Sequence, residues 1–523
     1  MRITNKVMQN NSLNNINTNK LLQDKLSTQM STQKKINRPS DDPVIAVRAL
    51  RLRTNVNQVT QYYGKNVPDA KSWLDLTADS IKSLTEVVTS MYENATKGSN
   101  ENLTMKDKEI ILTQLESLRD EVYSTGNTDY AGRYIFTGYR TDTSLTFMED
   151  TTKHYSITEQ LDSSKLDTIS YVDKGNLLEI NEVNFMQTNV KSETDISTKE
   201  IHRLRISYQN VDDKAPVINY QKYDAAAGTY TPAQLTCTVA SLYDVPSPYE
   251  TNFSDAANAG TAVLIKETGE ILLGDTVYAD LMNTKDNITT TGIDEGEIRV
   301  TYEKTNWKDG DLRPEHYFAC TQIMPNAADN IAYNQSYLQG IEEKQAIEYD
   351  VGLNQRIRVN TMADDIFTHD VGRDVDDMIA SMEESLALEE TVAKLKKLLE
   401  EEANMNDPAR KAQLEEQLEA AEKALTFSNE KTQKLFEGCI TKMQGHLDTV
   451  NLASTENGTR GQRLELISNR LMSQKTNYET LQSENEDADI TEVAIRLSSA
   501  ELTYNSSLMA TGKILQNSLM NFI

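Results

Sequence analysis

Residues 490–523 read ITEVAIRLSSAELTYNSSLMATGKILQNSLMNFI, with no proline and a single glycine, Gly512. Apolar positions fall at Ile490, Val493, Leu497, Ala500, Tyr504, Leu508, Leu515, Leu519 and Phe522. Steps of three and four dominate, which is the spacing of one helical face. The charges cancel, Glu492 and Glu501 against Arg496 and Lys513. A helix with that much apolar surface needs something to pack against. Chain ends are more often polar and frayed.

The other end of the chain supplies a matching candidate. Residues 1–38 contain neither glycine nor proline, and Ile3, Val7, Leu13, Ile16, Leu22, Leu26 and Met30 lie close to helical spacing. This stripe is thin. Seven of the first nineteen residues are asparagine, a weak helix former, so the helix is not expected to stand alone in water. The economical reading is that the two ends pair with each other and with neighbouring copies.

Moving inward, RPSDDP at 38–43 breaks the pattern, and Asp42 before Pro43 reads as a cap with proline in the first turn of a new helix. Val67, Ala70, Leu74, Thr77, Ile81, Leu84, Val88 and Met91 then form an unbroken seam, with Pro68 marking a kink or restart near its start. A further helix runs from about Met105 to Ser124, with Ile111, Leu115, Leu118 and Val122 on one face, and stops at Gly126 and Asn127.

Residues 141–345 differ in character. Leu204, Ile206 and Tyr208, then Leu235, Cys237 and Val239, then Ile298, Val300 and Tyr302 alternate as strands do, and VLIKETGEILLG predicts a hairpin turning at Thr268 and Gly269. Helices return from about Asp374. Asp407 and Pro408 open another, carrying Leu414, Leu418, Ala421, Leu425, Ser428, Thr432, Leu435 and Cys439. The segment 383–428 reads as a protruding antiparallel helical hairpin, and Asn457-Gly458 as a turn before a last arginine- and leucine-rich helix. The fold class is therefore mainly α with a β-rich insertion. Residues 1–42 with 487–523 form a terminal coiled coil, 43–140 with 346–486 a helical bundle, and 141–345 an outer β-rich domain.

Composition excludes several classes. Net charge is −27, which argues against nucleic acid as a partner, although residues 1–53 carry +7. That basic start is diluted by asparagine, glutamine, serine and threonine and reads as a solvated helix face. Cys237, Cys320 and Cys439 are far apart and form no metal or disulfide framework. The start has no apolar signal-peptide core, and no apolar run is long enough to span a membrane. If the protein works outside the cell, it must leave by a route that reads no cleaved signal.

No catalytic constellation has specific spacing, and the five histidines are isolated from one another. The chain reads as no enzyme and calls for no cofactor. The densest acidic cluster is Asp364, Asp365, Asp370, Asp374, Asp376 and Asp377. It lacks the spacing and glycine of a calcium loop and reads instead as a helix start capped by Asp374.

Four stretches carry a family resemblance: MRIT at the start, MSTQKKINRPSDDP at 30–43, GRYIFTGYRT at 132–141 and GTRGQRLELISNRL at 458–471. Together and in this order they resemble the hook-associated, junction branch of the flagellin superfamily. Filament flagellin is the alternative. Pro39 and Pro43 flanking Ser40, Asp41 and Asp42, together with GRYIF-GY, favour the junction branch. The resemblance covers about residues 1–141 and 430–523, and the 383–428 hairpin lies outside it.

The resemblance implies a structural subunit of the bacterial flagellum, extracellular at the hook–filament junction. It implies export unfolded through the flagellar type III apparatus without a cleaved signal peptide. Its partners would be neighbouring copies, another hook-associated protein at the hook end, flagellin at the filament end, and an export chaperone on the C-terminal helix. The assembly and chaperone surface is then expected at Ile3, Val7, Leu22, Leu26, Ile490, Val493, Leu497, Tyr504, Leu508, Leu515, Leu519 and Phe522.

Overall fold

Two aspartate–proline pairs, Asp42-Pro43 and Asp407-Pro408, open two helices of the computed structural model. It describes residues 5–101, 103–149, 151–188, 190–284, 297–339 and 345–520, except the side chains of residue 5 and of 514–520. At each pair the aspartate takes up amide hydrogens that have no acceptor within the helix. Asp42 Oδ1 accepts from the amides of Val44 (3.0 Å) and Ile45 (3.2 Å), and Asp407 Oδ1 from that of Ala409 (3.0 Å).

In chain order the first elements are helices α1 (Asn5–Thr32), α2 (Pro43–Gln61), α3 (Val67–Gly98) and α4 (Met105–Ser124). Strands β1 (Asp129–Tyr130), β2 (Arg133–Tyr134), β3 (His154–Leu161), β4 (Leu166–Asp173) and β5 (Ser197–Arg205) follow. Next come β6 (Val217–Asp224), β7 (Thr229–Thr236), β8 (Thr238–Ala240), β9 (Ala262–Ile265), β10 (Glu270–Leu273) and helix α5 (Asp275–Met282). Then β11 (Ile298–Lys304), β12 (Ala319–Ile323), β13 (Ile331–Tyr333), β14 (Glu348–Gly352) and β15 (Gln355–Arg358) lead to α6 (His369–Glu400), α7 (Glu402–Met405), α8 (Pro408–Glu486) and α9 (Ile490–Met520). The chain is mainly helical with a β-rich middle, the class its sequence predicts. No helix among the described residues is long and apolar enough to cross a membrane.

Contacts group the chain into two compact units, where the sequence reading draws three domains. One holds residues 1–71, 349–357 and 462–523, and the other holds 72–348 and 358–461.

In the larger unit, the parts of α3, α4, α6 and α8 that belong to it pack antiparallel. Ile81, Leu84, Val88 and Met91 of α3 are buried, as the seam requires. Gly98 lets α3 close on α8, since a Cβ there would sit 2.2 Å from the Phe436 ring. α4 begins with a reciprocal cap between Thr104 and Asp107. It meets α6 through Lys108, which is buried and donates to Ser385 (2.8 Å) and Glu389 (3.0 Å).

The same unit carries the β-rich part. A six-stranded antiparallel sheet runs β13-β12-β3-β11-β6-β7, and a five-stranded sheet runs β4-β5-β10-β9-β8, where β8 and β9 are parallel. Their alternating faces share one core that includes Tyr155, Ile157, Leu204, Leu264, Ile271, Ile298 and Val300. The β9–β10 hairpin turns at Gly269, whose φ of +66° and close approach to the Tyr208 carbonyl leave no room for a side chain.

Three sequence expectations need correction. Asn457-Gly458 is no turn: α8 continues through both, and the buried Asn457 side chain donates to the Leu74 carbonyl at 2.9 Å. Asp374 caps nothing, because α6 has already begun at His369 and the Asp374 carboxylate is buried inside it. The 383–428 hairpin does not project bare. Val172, Leu177, Ile180, Phe185 and Ile196 pack on its Leu388, Val392, Leu395 and Leu414 face.

Candidate assembly interface

In the smaller unit, MSTQKKINRPSDDP forms an elbow. α1 ends at Thr32, and Gln33 takes the left-handed conformation (φ 59°) that turns the chain out of the helix. The strand-like residues that follow pair with the α8–α9 connection. Lys35 N donates to Glu486 O (2.7 Å), Ala488 N donates to Gln33 O (2.9 Å), and Lys34 bridges Asp487.

The motif residues each have a local task. Pro39 and Ser40 make the exposed bend. Asp41 accepts from the amides of Asn37 (3.1 Å) and Arg38 (3.0 Å), which holds its carboxyl below the usual carboxylate range. Asp42 caps α2, Pro43 fills its first turn, and Asp489 caps α9 by accepting from Thr491 (2.9 Å) and Glu492 (3.1 Å). Beneath the elbow Arg53 grips the buried Glu486 with Nε at 2.7 Å and Nη2 at 2.6 Å, a forked pair that lowers the glutamate's pKa.

The elbow sets α1 and α9 antiparallel. Leu26 (5 % exposed) meets Val493 (7 %) and Ala500, with Leu497 partly buried beside them. Further out, Asn19 Nδ2 donates to Ser507 Oγ at 3.1 Å. One line of reduced exposure on α1 runs through Gln9, Ser12, Ile16, Asn19, Gln23 and Leu26, and one on α9 through Val493, Leu497, Ala500, Tyr504, Ser507 and Thr511, with Thr28, Gln29 and Ala494 partly shielded beside them. Both sets keep steps of three and four, so this is a coiled-coil seam filled largely by polar groups.

The predicted interface residues divide. Leu26, Val493, Leu497 and Tyr504 lie on the seam, whereas Val7, Leu22, Ile490 and Leu508 are exposed. Leu515 and Leu519 are on α9, but their side chains, like all of Ile3 and Phe522, lie outside the described residues. One line of residues escaped the sequence reading: Ile495 (66 % exposed), Leu502 (70 %) and Met509 (69 %). Their seven-residue spacing is itself the signal, masked because a single stripe was traced along this helix.

These helices carry more apolar surface outward than inward. A large apolar side chain gains roughly 1.5–3 kcal/mol on full burial, whereas ordering one residue's backbone costs about 1–2 kcal/mol. Few full burials along two long helices cannot balance that cost. A second copy covering the outward seam would change the balance.

The charged groups of the larger unit form a closed network. Arg203 engages Asp167 (2.8 Å), Asp377 (2.6 Å) and Glu270, and Arg205 engages Asp374 (2.7 Å) and Asp377 (2.6 Å). Lys442 and His446 also hold Asp374, at 2.9 and 3.0 Å. The acidic cluster is thus largely consumed by ion pairs, and no group of metal-ligating side chains is found among the described residues. Cys237, Cys320 and Cys439 are buried free thiols, their pKa values pushed up by burial.

In chain order, terminal helices flank an inserted β-rich region. Residues 3–141 match the family model for the bacterial flagellin N-terminal helical region. Two similar curated proteins bear the name flagellar hook-associated protein 3. The Salmonella typhimurium protein of that name is 30 % identical over 176 residues, covering 33 % of this chain and 55 % of that protein. Its Escherichia coli K12 counterpart is 31 % identical over 170 residues, covering 32 % and 53 %. A flagellin of Clostridium tyrobutyricum is 27 % identical over 128 residues, covering 24 % and 34 %. The chain spans about half the length of the curated relatives it matches.

Proposed function

We propose that this chain is a structural subunit of the bacterial flagellum that joins hook to filament, assembling by helical self-association of α1 and α9, and that it catalyses no reaction. The observation that carries this reading is the outward Ile495, Leu502 and Met509 seam, on a helix whose inward face meets mostly polar side chains of α1. Head-to-tail association through such a seam is open-ended, as a tubular element requires.

The reading extends to the partners named for the junction branch. The hook-side neighbour is another hook-associated protein, the filament-side neighbour is flagellin, and an export chaperone covers the C-terminal helix before assembly. Export through the type III apparatus without signal cleavage suits a chain whose ends order only on assembly and whose three thiols are unpaired. The location is then extracellular, at the hook–filament junction, without membrane insertion or nucleic-acid contact.

Immunogold labelling of intact flagella tests this. A single band at the hook's end supports the junction role. Label along the whole filament supports filament flagellin instead, the reading favoured by the match to the Clostridium tyrobutyricum flagellin.

A further inference from the structure

Helix pairing leaves one strand edge of the larger unit unused. β4 is the outermost strand of its sheet. β5 pairs with it at all eight positions, from Leu166↔Leu204 to Asp173↔Ser197, without a bulge. The Ile206 amide donates to the Gly269 carbonyl at 3.0 Å, which fixes the alternation of hydrogen bonds along β5. The amides and carbonyls of Thr168 and Ser170 therefore point away from β5. Among the described residues these four backbone groups have no hydrogen-bond partner.

Edge strands are commonly guarded by lysine, proline, a bulge or a covering element. The sequence of β4, LDTISYVD, has neither lysine nor proline. Asp167 is engaged by Arg203 (2.8 Å) and Asp173 by Lys191 and Lys199, so neither charge guards the edge. Nor does a helix cover it. Residues 167–171 line a cleft of about 1660 Å³ that separates β4 from α6 and α8. Lys165 reaches Asp370 and Lys174 reaches Glu384, which ties both ends of β4 to α6. Between these ties α6 turns the short Ala380 to the cleft. Small-molecule pockets are typically about 300–1,000 Å³, so the space exceeds what a compact ligand needs.

Charge selects the occupant. Glu179, Glu200, Asp244, Glu250 and Glu383 line the cleft and make no ion pair among the described residues, and of its cations only Lys434 is likewise unpaired there. At the lip Tyr243 and Val245 are 79 % and 88 % exposed. An added strand sends alternate side chains to opposite sides, so a segment alternating basic with apolar residues meets both the carboxylates and the lip.

We propose that β4 pairs along its free edge with an extended segment of a partner polypeptide in which lysine or arginine alternates with apolar residues. Main-chain hydrogen bonds supply the affinity, and the unpaired carboxylates choose the sequence. Fluorescence anisotropy on the full chain tests this with three labelled octapeptides: alternating lysine and valine, the same peptide with every amide N-methylated, and alternating aspartate and valine. The lysine peptide should bind, and the other two should bind at least tenfold more weakly. Ser170→Pro removes an outward amide hydrogen while sparing the β4–β5 ladder, and should weaken the lysine peptide at least tenfold. The N-methylated peptide asks the same question of the unaltered chain, whatever that variant does to folding. The proposal is overturned if the lysine peptide does not bind, or if the N-methylated or the aspartate peptide binds as tightly.

Discussion

His369 and His316 are both buried, and burial holds both imidazoles neutral, with pKa values lowered to about 3 and about 4. His369 sits edge-on to Tyr208 and Tyr317, and its Nε2 has no hydrogen-bond partner. Each folded pKa is below its unfolded value, so the unfolded chain binds the proton first. The stability each contributes is complete above about pH 6.5 and falls as pH drops toward the folded value, by about 1.4 kcal/mol per pH unit per histidine. The larger unit should therefore melt at a lower temperature at pH 5 than at pH 7. His369→Phe should flatten that slope, which calorimetry at both pH values will show.

Asp374 makes the opposite kind of commitment, a charge kept buried by its partners. His446, Arg205 and Lys442 hold it ionised well below the usual carboxylate range against the penalty of burial. Asp374→Asn leaves Arg205 short of a counter-charge and should destabilise the larger unit by about 3 kcal/mol in urea titration. The role of Asp374 could not be read from sequence. Its partners lie far from it along the chain, and a dense run of aspartates near a helix start has a simpler local explanation.

At the scale of elements, what was legible followed local rules. Asp42-Pro43, Asp407-Pro408, the Val67 to Met91 seam and the Gly269 turn are each decided by a few neighbouring residues. Asn457-Gly458 misled because a turn-forming pair can sit inside a helix when a distant acceptor, here the Leu74 carbonyl, takes up the asparagine side chain. Removing the α2 cap by Asp42→Ala should cost about 1 kcal/mol and speed amide exchange in the first turn of that helix. Gly98→Ala forces a methyl into the space of the Phe436 ring and should cost about 1–3 kcal/mol by thermal melting.

The terminal pair was half legible. Spacing marked α1 and α9 as striped helices and picked out Ile16, Leu26, Val493, Leu497, Ala500 and Tyr504 of the seam, but an apolar template could not find its polar members Gln9, Ser12, Asn19, Gln23, Ser507 and Thr511. Nor could it separate the face turned to the partner helix from the face left outward. The cleft beside β4, β5, α6 and α8 left no trace in the sequence, since its lining joins residues from separate parts of the chain.

For the whole molecule, the proposed function assigns the outward face of α9 to contacts between copies rather than to the monomer's own stability. Leu502→Asp places a charge on that face, where nothing in the monomer covers it. The monomer's melting temperature should stay within about 1 °C of wild type, because exposed substitutions change stability little. Polymerisation measured by light scattering should be abolished. Removing residues 490–523 should likewise leave the larger unit folded while cells lose filament attachment.

Hydrogen exchange read by mass spectrometry, on purified monomer and on assembled flagella, tests the central claim most directly. In the monomer, amides of residues 5–32 and 490–513 should exchange within seconds while those of α3 and α8 stay protected. In the assembly the same terminal amides should become slow. Terminal helices already protected in the monomer, to the level of α3, would contradict the account.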